Sequence, residues 1–206
     1  MKIIQPSYEI LTDINRNTVL KYLERCGRTC YKSEDKITDN SAEKFVSNIV
    51  KRNHLAMIEF YDIQVRFIHN RGFTHEMVRH RVCSFAQEST RYCDYDGDGI
   101  TVIRPYWFGD GITEKPDTET KEAWILQMQQ SEMAYQFLRE HDLSPQAARG
   151  VLPIDIKTEI VVKANLREWK HIFELRCAKS AHPDMCRVMV PLRDEIIKQL
   201  PEIFTN

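Results

Sequence analysis

Hydrophobic and polar residues alternate without a break from Tyr61 to Phe67. Tyr61, Ile63, Val65 and Phe67 fall on one side, and Asp62, Gln64 and Arg66 on the other. A period of two over that length predicts a strand with one buried face. Asn70-Arg71-Gly72 interrupts it, and Phe73, Met77 and Val78 then predict a helix. Upstream, Met1 to Pro6 reads as a short first strand. Val19, Leu20 and Leu23 predict a helix over 17–25 capped by Asn17, with Cys26 to Lys36 an irregular connection. Asn40-Ser41-Ala42-Glu43 resembles a capping box, and the apolar stripe Ala42, Phe45, Val46, Ile49 and Val50 follows it at helical spacing.

Downstream, Thr101-Val102-Ile103 predicts a strand, Phe108 to Asp117 a polar excursion, and Thr120 to His141 a long helix with Trp124, Met128, Tyr135 and Leu138 on one side. Ser144-Pro145 opens a short helix that ends before Pro153. Thr158 to Ala164 is β-rich, Asn165 to Cys177 is helical, and His182-Pro183 starts a last helix whose inner face is Val188, Met189, Leu192, Ile196 and Leu200. Helix and strand signals intermingle, which predicts an α+β fold: one domain over residues 1–206, a mixed sheet flanked by helices.

Composition changes this picture little. A chain of 206 residues with 42% hydrophobic and 29% charged residues has length for a real core and describes an ordinary globular protein. No apolar run approaches the ~20 residues that span a bilayer. The first residues do not read as a signal peptide, so a cytoplasmic protein without membrane contact is expected. A net charge of −1 gives no support to bulk nucleic-acid binding. The six cysteines are scattered, which suits reduced thiols rather than a disulfide framework.

Two metal motifs fail on spacing. His75-Glu76 begins like the zinc motif H-E-x-x-H, but the next histidine, His80, lies five residues on. On a helix that is roughly 140° away from the first ligand's face. Asp94-Tyr95-Asp96-Gly97-Asp98-Gly99 begins like a calcium loop, yet Pro105 stands where the bidentate glutamate is required. No metal site is expected, and residues 94–99 read as a turn.

Charge is informative locally. Between Arg66 and Arg91 five arginines face two glutamates, a balance of +3 in a chain that is nearly neutral. The densest part is Arg79-His80-Arg81-Val82-Cys83-Ser84-Phe85-Ala86-Gln87-Glu88-Ser89-Thr90-Arg91-Tyr92. Guanidinium groups present a rigid fork that fits phosphate and carboxylate. The interleaved Ser84, Gln87, Ser89 and Thr90 suit hydrogen bonding to a polar ligand better than plain solvation. A solvated basic face is the bland alternative.

These residues carry a family resemblance. R-H-R at 79–81, then seven residues, then Ser89-x-Arg91-Tyr92, resembles the signature of the flavin-dependent thymidylate synthases. Ala86 and Gln87 depart from it, since many members carry Asn-Glu there, and Gln87 cannot serve as an anion. Ala148-Arg149-x-Val151-Leu152-Pro153, Asn165-x-Arg167-x-x-x-His171 and Leu175-Arg176 are similar to the same family's C-terminal motifs. The similarity touches residues 54–92 and 147–182.

The resemblance implies reductive methylation of dUMP to dTMP, with 5,10-methylenetetrahydrofolate as carbon donor and NADPH as reductant acting through FAD. It implies that Glu76, Arg79, Gln87, Ser89, Arg91, Arg149 and Arg176 contact dUMP; Glu88 and Thr90, in the same run, are counted with them. His54, Arg79, His80, Arg81, Gln87, Asn165, Arg167 and His171 match flavin-contacting positions, and Glu59 belongs with His54. The family needs no cysteine nucleophile. The uracil ring is expected to be polarised by donors aimed at the charge that develops on it, with Arg176 in that role. A homotetramer with sites shared between subunits is implied as well. The competing reading is a single-stranded nucleic-acid-binding module that uses the 66–91 cluster with Phe67, Phe73, Phe85 and Tyr92 for stacking.

Overall fold

The computed structural model describes residues 1–109 and 118–205. Two compact units interleave along the chain. The first comprises Met1–Tyr8, Arg66–Arg79 and Phe85–Val161; the second comprises Glu9–Val65, His80–Ser84 and Val162–Asn206. Strands and helices mix as the sequence predicts, so the fold is α+β. The larger sheet has the strand order β2-β3-β6-β4, with β2 Ser7–Ile10, β3 Asp62–Asn70, β4 Cys83–Gln87 and β6 Lys157–Asn165. Asp62 meets Lys163 at 2.9 Å and Arg66 meets Glu159 at 3.7 Å, so β3 and β6 run antiparallel with a charged ladder on their outer face.

In the first unit, β1 (Lys2–Ile4) pairs in parallel with β5 (Thr101–Ile103), with Ile3 opposite Val102. Behind this pair Ile100, Val102, Ile156 and Met128 form a closed apolar cluster. Met128 belongs to α4 (Thr118–Glu140), which buries Met128, Ser131 and Tyr135. α5 (Pro145–Ala148) runs straight into a 3₁₀ turn at Arg149–Val151. The turn at 94–99 is tied to α4 by protein groups: Arg139 reaches both oxygens of Asp94 at 2.8–3.2 Å and the Tyr135 hydroxyl donates to it at 3.0 Å. The guanidinium holds this carboxyl below its ordinary range. Of the polar excursion expected at 108–117, residues 110–117 lie outside those described.

In the second unit, α1 (Arg16–Tyr31) packs on α2 (Ala42–Lys51). Here the structure corrects the sequence reading twice. Asn15 rather than Asn17 caps α1, accepting from the Thr18 N–H at 3.0 Å. The helix also continues through the stretch expected to be irregular, where Arg28 pairs with Glu24 one turn back at 2.9 Å, and it stops only at Lys32, where φ is +45°. Gly27 is required inside it, since a Cβ there would stand 2.7 Å from the Phe45 ring. Ser41 precedes α2 as expected but makes no side-chain cap; its hydroxyl donates to Glu24 at 2.8 Å. β2 was not foreseen, since four residues show too little alternation to separate from a loop.

The two central strands end in the same local device. Asn70 closes β3 and caps α3 (Arg71–Met77) by accepting from the Phe73 N–H at 2.9 Å. Asn165 closes β6 and caps α6 (Leu166–Arg176) by accepting from the Glu168 N–H at 2.9 Å. An asparagine tolerates the extended backbone of a strand end and supplies an acceptor to an unpaired helix N–H, so the chain turns from strand to helix without a loop. Each short helix thus starts at a fixed point above a strand end. α6 buries Leu166, Trp169, Ile172 and Phe173 against α7 (Pro183–Gln199), and α8 (Pro201–Phe204) completes the unit. Among the described residues no helix is long and apolar enough to cross a membrane.

Candidate functional site

The residues singled out in the sequence divide between the two units. Glu76, Arg79, Gln87–Arg91 and Arg149 belong to the first, and His54, His80, Arg81, Asn165, Arg167, His171 and Arg176 to the second.

In the first unit the end of β4 turns into the loop that carries Glu88 to Arg91. Glu88 anchors this loop. Its carboxylate accepts from the Tyr95 hydroxyl at 2.7 Å and from Lys157 Nζ at 2.9 Å, and its carbonyl accepts from Arg71 at 3.0 Å. With both oxygens used inside the fold, Glu88 shapes the loop. Gln87 is held by its amide nitrogen, which donates to the hydroxyls of Thr74 (3.0 Å) and Thr158 (3.3 Å). Beyond Glu88, Ser89 Oγ accepts from the Arg91 N–H at 3.3 Å, a local turn that fixes the backbone from which Arg91 projects. Arg91 is exposed and reaches Gln146 at 3.4 Å, and Arg149 approaches the Thr90 hydroxyl at 3.5 Å. Arg149, remote in sequence, therefore comes to the loop of the basic motif. Arg79 is exposed just past the end of α3, and Glu76 is half-buried.

The second unit holds a tighter arrangement around His80. This ring is buried, and its Nε2 accepts from Arg176 Nε at 2.9 Å. Its other nitrogen, Nδ1, stands 3.5 Å from Glu168 Oε1, and His171 meets it edge-on at 5.9 Å between centroids. Burial first, then the Arg176 and His171 charges, lowers His80 to about 4. The contact with Glu168 therefore involves a neutral imidazole rather than an ion pair. Since Nε2 is an acceptor, the proton resides on Nδ1, pointing at Glu168. Burial raises the carboxyl of Glu168, against an opposing effect of His171. Cys83 sits in the same surroundings, and burial together with the Glu168 charge pushes its thiol up to about 12. A thiol so disposed is not a nucleophile near neutral pH.

Along α6, Asn165, Arg167, Glu168 and His171 line a cleft of about 600 Å³, with Leu55 and Val82 as apolar walls. Arg167 also pairs with Glu59 at 2.6 Å, both side chains well exposed. Arg81 is exposed next to Val82. His54 stands apart from these: it precedes the 3₁₀ turn Leu55–Phe60 and lines a separate cleft of about 310 Å³ with Arg28, Lys36 and Arg52. Sequence reading missed Glu168, Lys170 and Glu174 in the larger cleft. The available signal for Glu168 was its place three residues after a capping asparagine, which only fixes its backbone.

Residues 14–202 match the model of the family described as thymidylate synthase complementing protein. The chain is 30% identical to a flavin-dependent thymidylate synthase of Pyrococcus furiosus, over 84% of this chain and 70% of that protein. It is 28% identical to one of Mycobacteroides abscessus, over 98% of this chain and 84% of the relative. A crystal structure of the UMP/dUMP methylase PolB from Streptomyces cacaoi bound with 5-Br dUMP shares the fold with a TM-score of 0.81 at 18% identity, covering 100% of this chain and 96% of that one.

Proposed function

The chain belongs to the family of flavin-dependent thymidylate synthases, and from that premise we propose that it converts dUMP to dTMP. In this reading 5,10-methylenetetrahydrofolate donates the carbon, NADPH is the reductant, and no cysteine adds to the ring. The observation that carries it is the approach of Arg149 to the loop of Thr90 and Arg91, because a nucleotide monophosphate needs several fixed donors at one place. Arg79, Ser89, Thr90, Arg91 and Arg149 serve the phosphate and the pyrimidine rim. Gln87 and Glu88, anchored inside the fold, shape the ground beneath them, and Glu76 is assigned to dUMP with the others.

The residues of the second unit fit a flavin. A cleft of about 600 Å³ lies within the ~300–1,000 Å³ typical of cofactor sites. It combines the apolar walls Leu55 and Val82 with Asn165 and Arg167 at the start of an eleven-residue helix, where backbone N–H groups favour anions, and with His171 one turn further on. His80 and Arg81 directly precede Val82 of this lining in the chain, and His54 directly precedes Leu55; they are assigned to the cofactor with it. When bound, FAD supplies the electrons that reduce the transferred carbon. The task of this chain's residues is to hold it and to polarise uracil, and Arg176, whose Nε donates to His80, is the residue proposed for the second task.

The match over residues 14–202 supports one functional domain. The homotetramer is part of the same reading, and the apolar stripe of α4, Leu126 (55% exposed), Met133 (67%) and Phe137 (58%) opposite the buried Met128 and Tyr135, is surface that contact between copies would cover. The test is tritium release from 5-labelled dUMP. It is expected to require folate and reductant, to survive Cys83→Ala and Cys93→Ala, and to vanish in Arg176→Ala while the yellow flavin band persists. Normal turnover by Arg176→Ala would overturn the role given to that residue. A colourless protein with steeply salt-dependent affinity for oligonucleotides would instead favour the nucleic-acid reading.

A further inference from the structure

We propose that Glu168 is a positioning residue for Arg176 and acts through His80. Its carboxylate faces the Nδ1–H as acceptor, and with the proton kept on Nδ1 the Nε2 lone pair is committed to the Arg176 guanidinium. The inference rests on the role given to Arg176 above, and it adds the element that would hold that guanidinium in place.

Three observations support it. First, His80 is 5% exposed and has a group at each ring nitrogen, Arg176 Nε at 2.9 Å and Glu168 Oε1 at 3.5 Å. An imidazole with one nitrogen accepting must donate from the other or be left with an unpaired buried proton. Second, Glu168 and Arg176 lie eight residues apart on α6, about 12 Å along its axis. Two such side chains do not meet directly on a helix surface, so a third group from elsewhere in the chain must link them, and His80 does so from the segment before β4. Third, Glu168 is fixed at both ends. Its N–H bonds the Asn165 cap, and its side chain is only 12% exposed.

The charged and titratable groups around His80 are Arg176, His171 and Glu168 on α6 and, near Glu168, the Cys83 thiol at the start of β4. Burial first, then the Arg176 and His171 charges, lowers the imidazole to about 4, so the ring is neutral near pH 7 and one of its nitrogens is free to accept. Without an acceptor at Nδ1 that buried proton is left unpaired, and once Arg176 turns away the ring is free to carry its proton on Nε2 instead. That nitrogen then donates, and it can no longer accept from Arg176. The order is carboxylate, imidazole and guanidinium, with no proton transferred to substrate.

The test compares Glu168→Ala with Glu168→Gln. Glutamine retains an acceptor for Nδ1–H, so Glu168→Gln is expected to keep most of kcat. Glu168→Ala is expected to lose about 10- to 100-fold, the usual cost of removing a partner that orients a working side chain, with flavin absorbance and melting temperature held. A readout independent of turnover is the ¹⁵N shift of the His80 ring, assigned with His80→Asn. Wild type and Glu168→Gln should show the proton on Nδ1, and Glu168→Ala should show it on Nε2. Wild-type kcat in Glu168→Ala, or an unchanged His80 tautomer, overturns the proposal. Absence of dTMP formation by the wild type, or full activity of Arg176→Ala, would overturn the function reading instead; the tautomer measurement separates the two.

Discussion

Asn70 and Asn165 cap their helices through the same bond at the same length, 2.9 Å, yet their loss should cost different amounts. Each cap is worth about 1 kcal/mol. Asn70 has a second function: it is 5% exposed, and its amide nitrogen donates to Asp155 Oδ1 at 2.9 Å. Asp155 in turn accepts from the Trp124 indole at 3.0 Å on its other oxygen, so the amide links β3 to α4 through a half-buried carboxylate. Removing that donor adds about 1–2 kcal/mol for the abandoned acceptor. Asn70→Ala should therefore cost about 2–3 kcal/mol, against about 1 for Asn165→Ala. For a chain of this size ~1 kcal/mol moves the melting temperature by about 2–4 °C, so drops of about 4–12 °C and 2–4 °C are expected. The assay is thermal unfolding by circular dichroism at fixed protein concentration, because assembly also shifts the midpoint. Asn70→Ser separates the two functions: a serine hydroxyl still caps but does not reach Asp155, so it should lose about half as much. Equal drops for the two alanine variants, or serine as damaging as alanine, would refute the reasoning.

Other outcomes follow from the same geometry. Asp94 titrates below its ordinary value because Arg139 binds it. Its contribution to stability is complete above the unfolded carboxylate value of about 3.9 and is lost as pH falls through the lower folded value. Arg139→Met should therefore move the acid limb of unfolding to higher pH, and an unmoved limb counts against that ion pair. The Cys83 thiol, pushed up to about 12, should resist iodoacetamide in the native protein at pH 8, as peptide mapping would show; rapid modification of Cys83 would contradict its burial. Trp169 is fully buried and donates to the Ile63 carbonyl at 3.1 Å. Trp169→Phe should cost about 1–3 kcal/mol in urea titration through that unpaired carbonyl, and a neutral effect would mean that the carbonyl finds another partner.

Much of the fold was legible because its signals are local. The alternation of Ile63, Val65 and Phe67 gave β3, the proline after His182 gave the start of α7, and the stripe of α2 was visible from Ala42 to Val50. Errors arose where a partner remote in sequence decides. The extension of α1 to Tyr31 depends on Gly27 accepting the Phe45 ring, and the Ser41 hydroxyl turned to Glu24 rather than to its own helix.

The chemistry divides in the same way. The residue types and spacing of Arg79 to Tyr92, with the motifs around Arg149 and Asn165, were enough to identify the family, since a motif is a property of the chain itself. The sequence did not distinguish Glu88 as an anchor from Ser89 and Arg91 as candidate ligands, nor attach Glu168 to His80. Those assignments depend on which atoms approach within about 3 Å. Hydrogen bonding and desolvation act over such distances in space, and residues 80 and 168 meet only after the chain has folded.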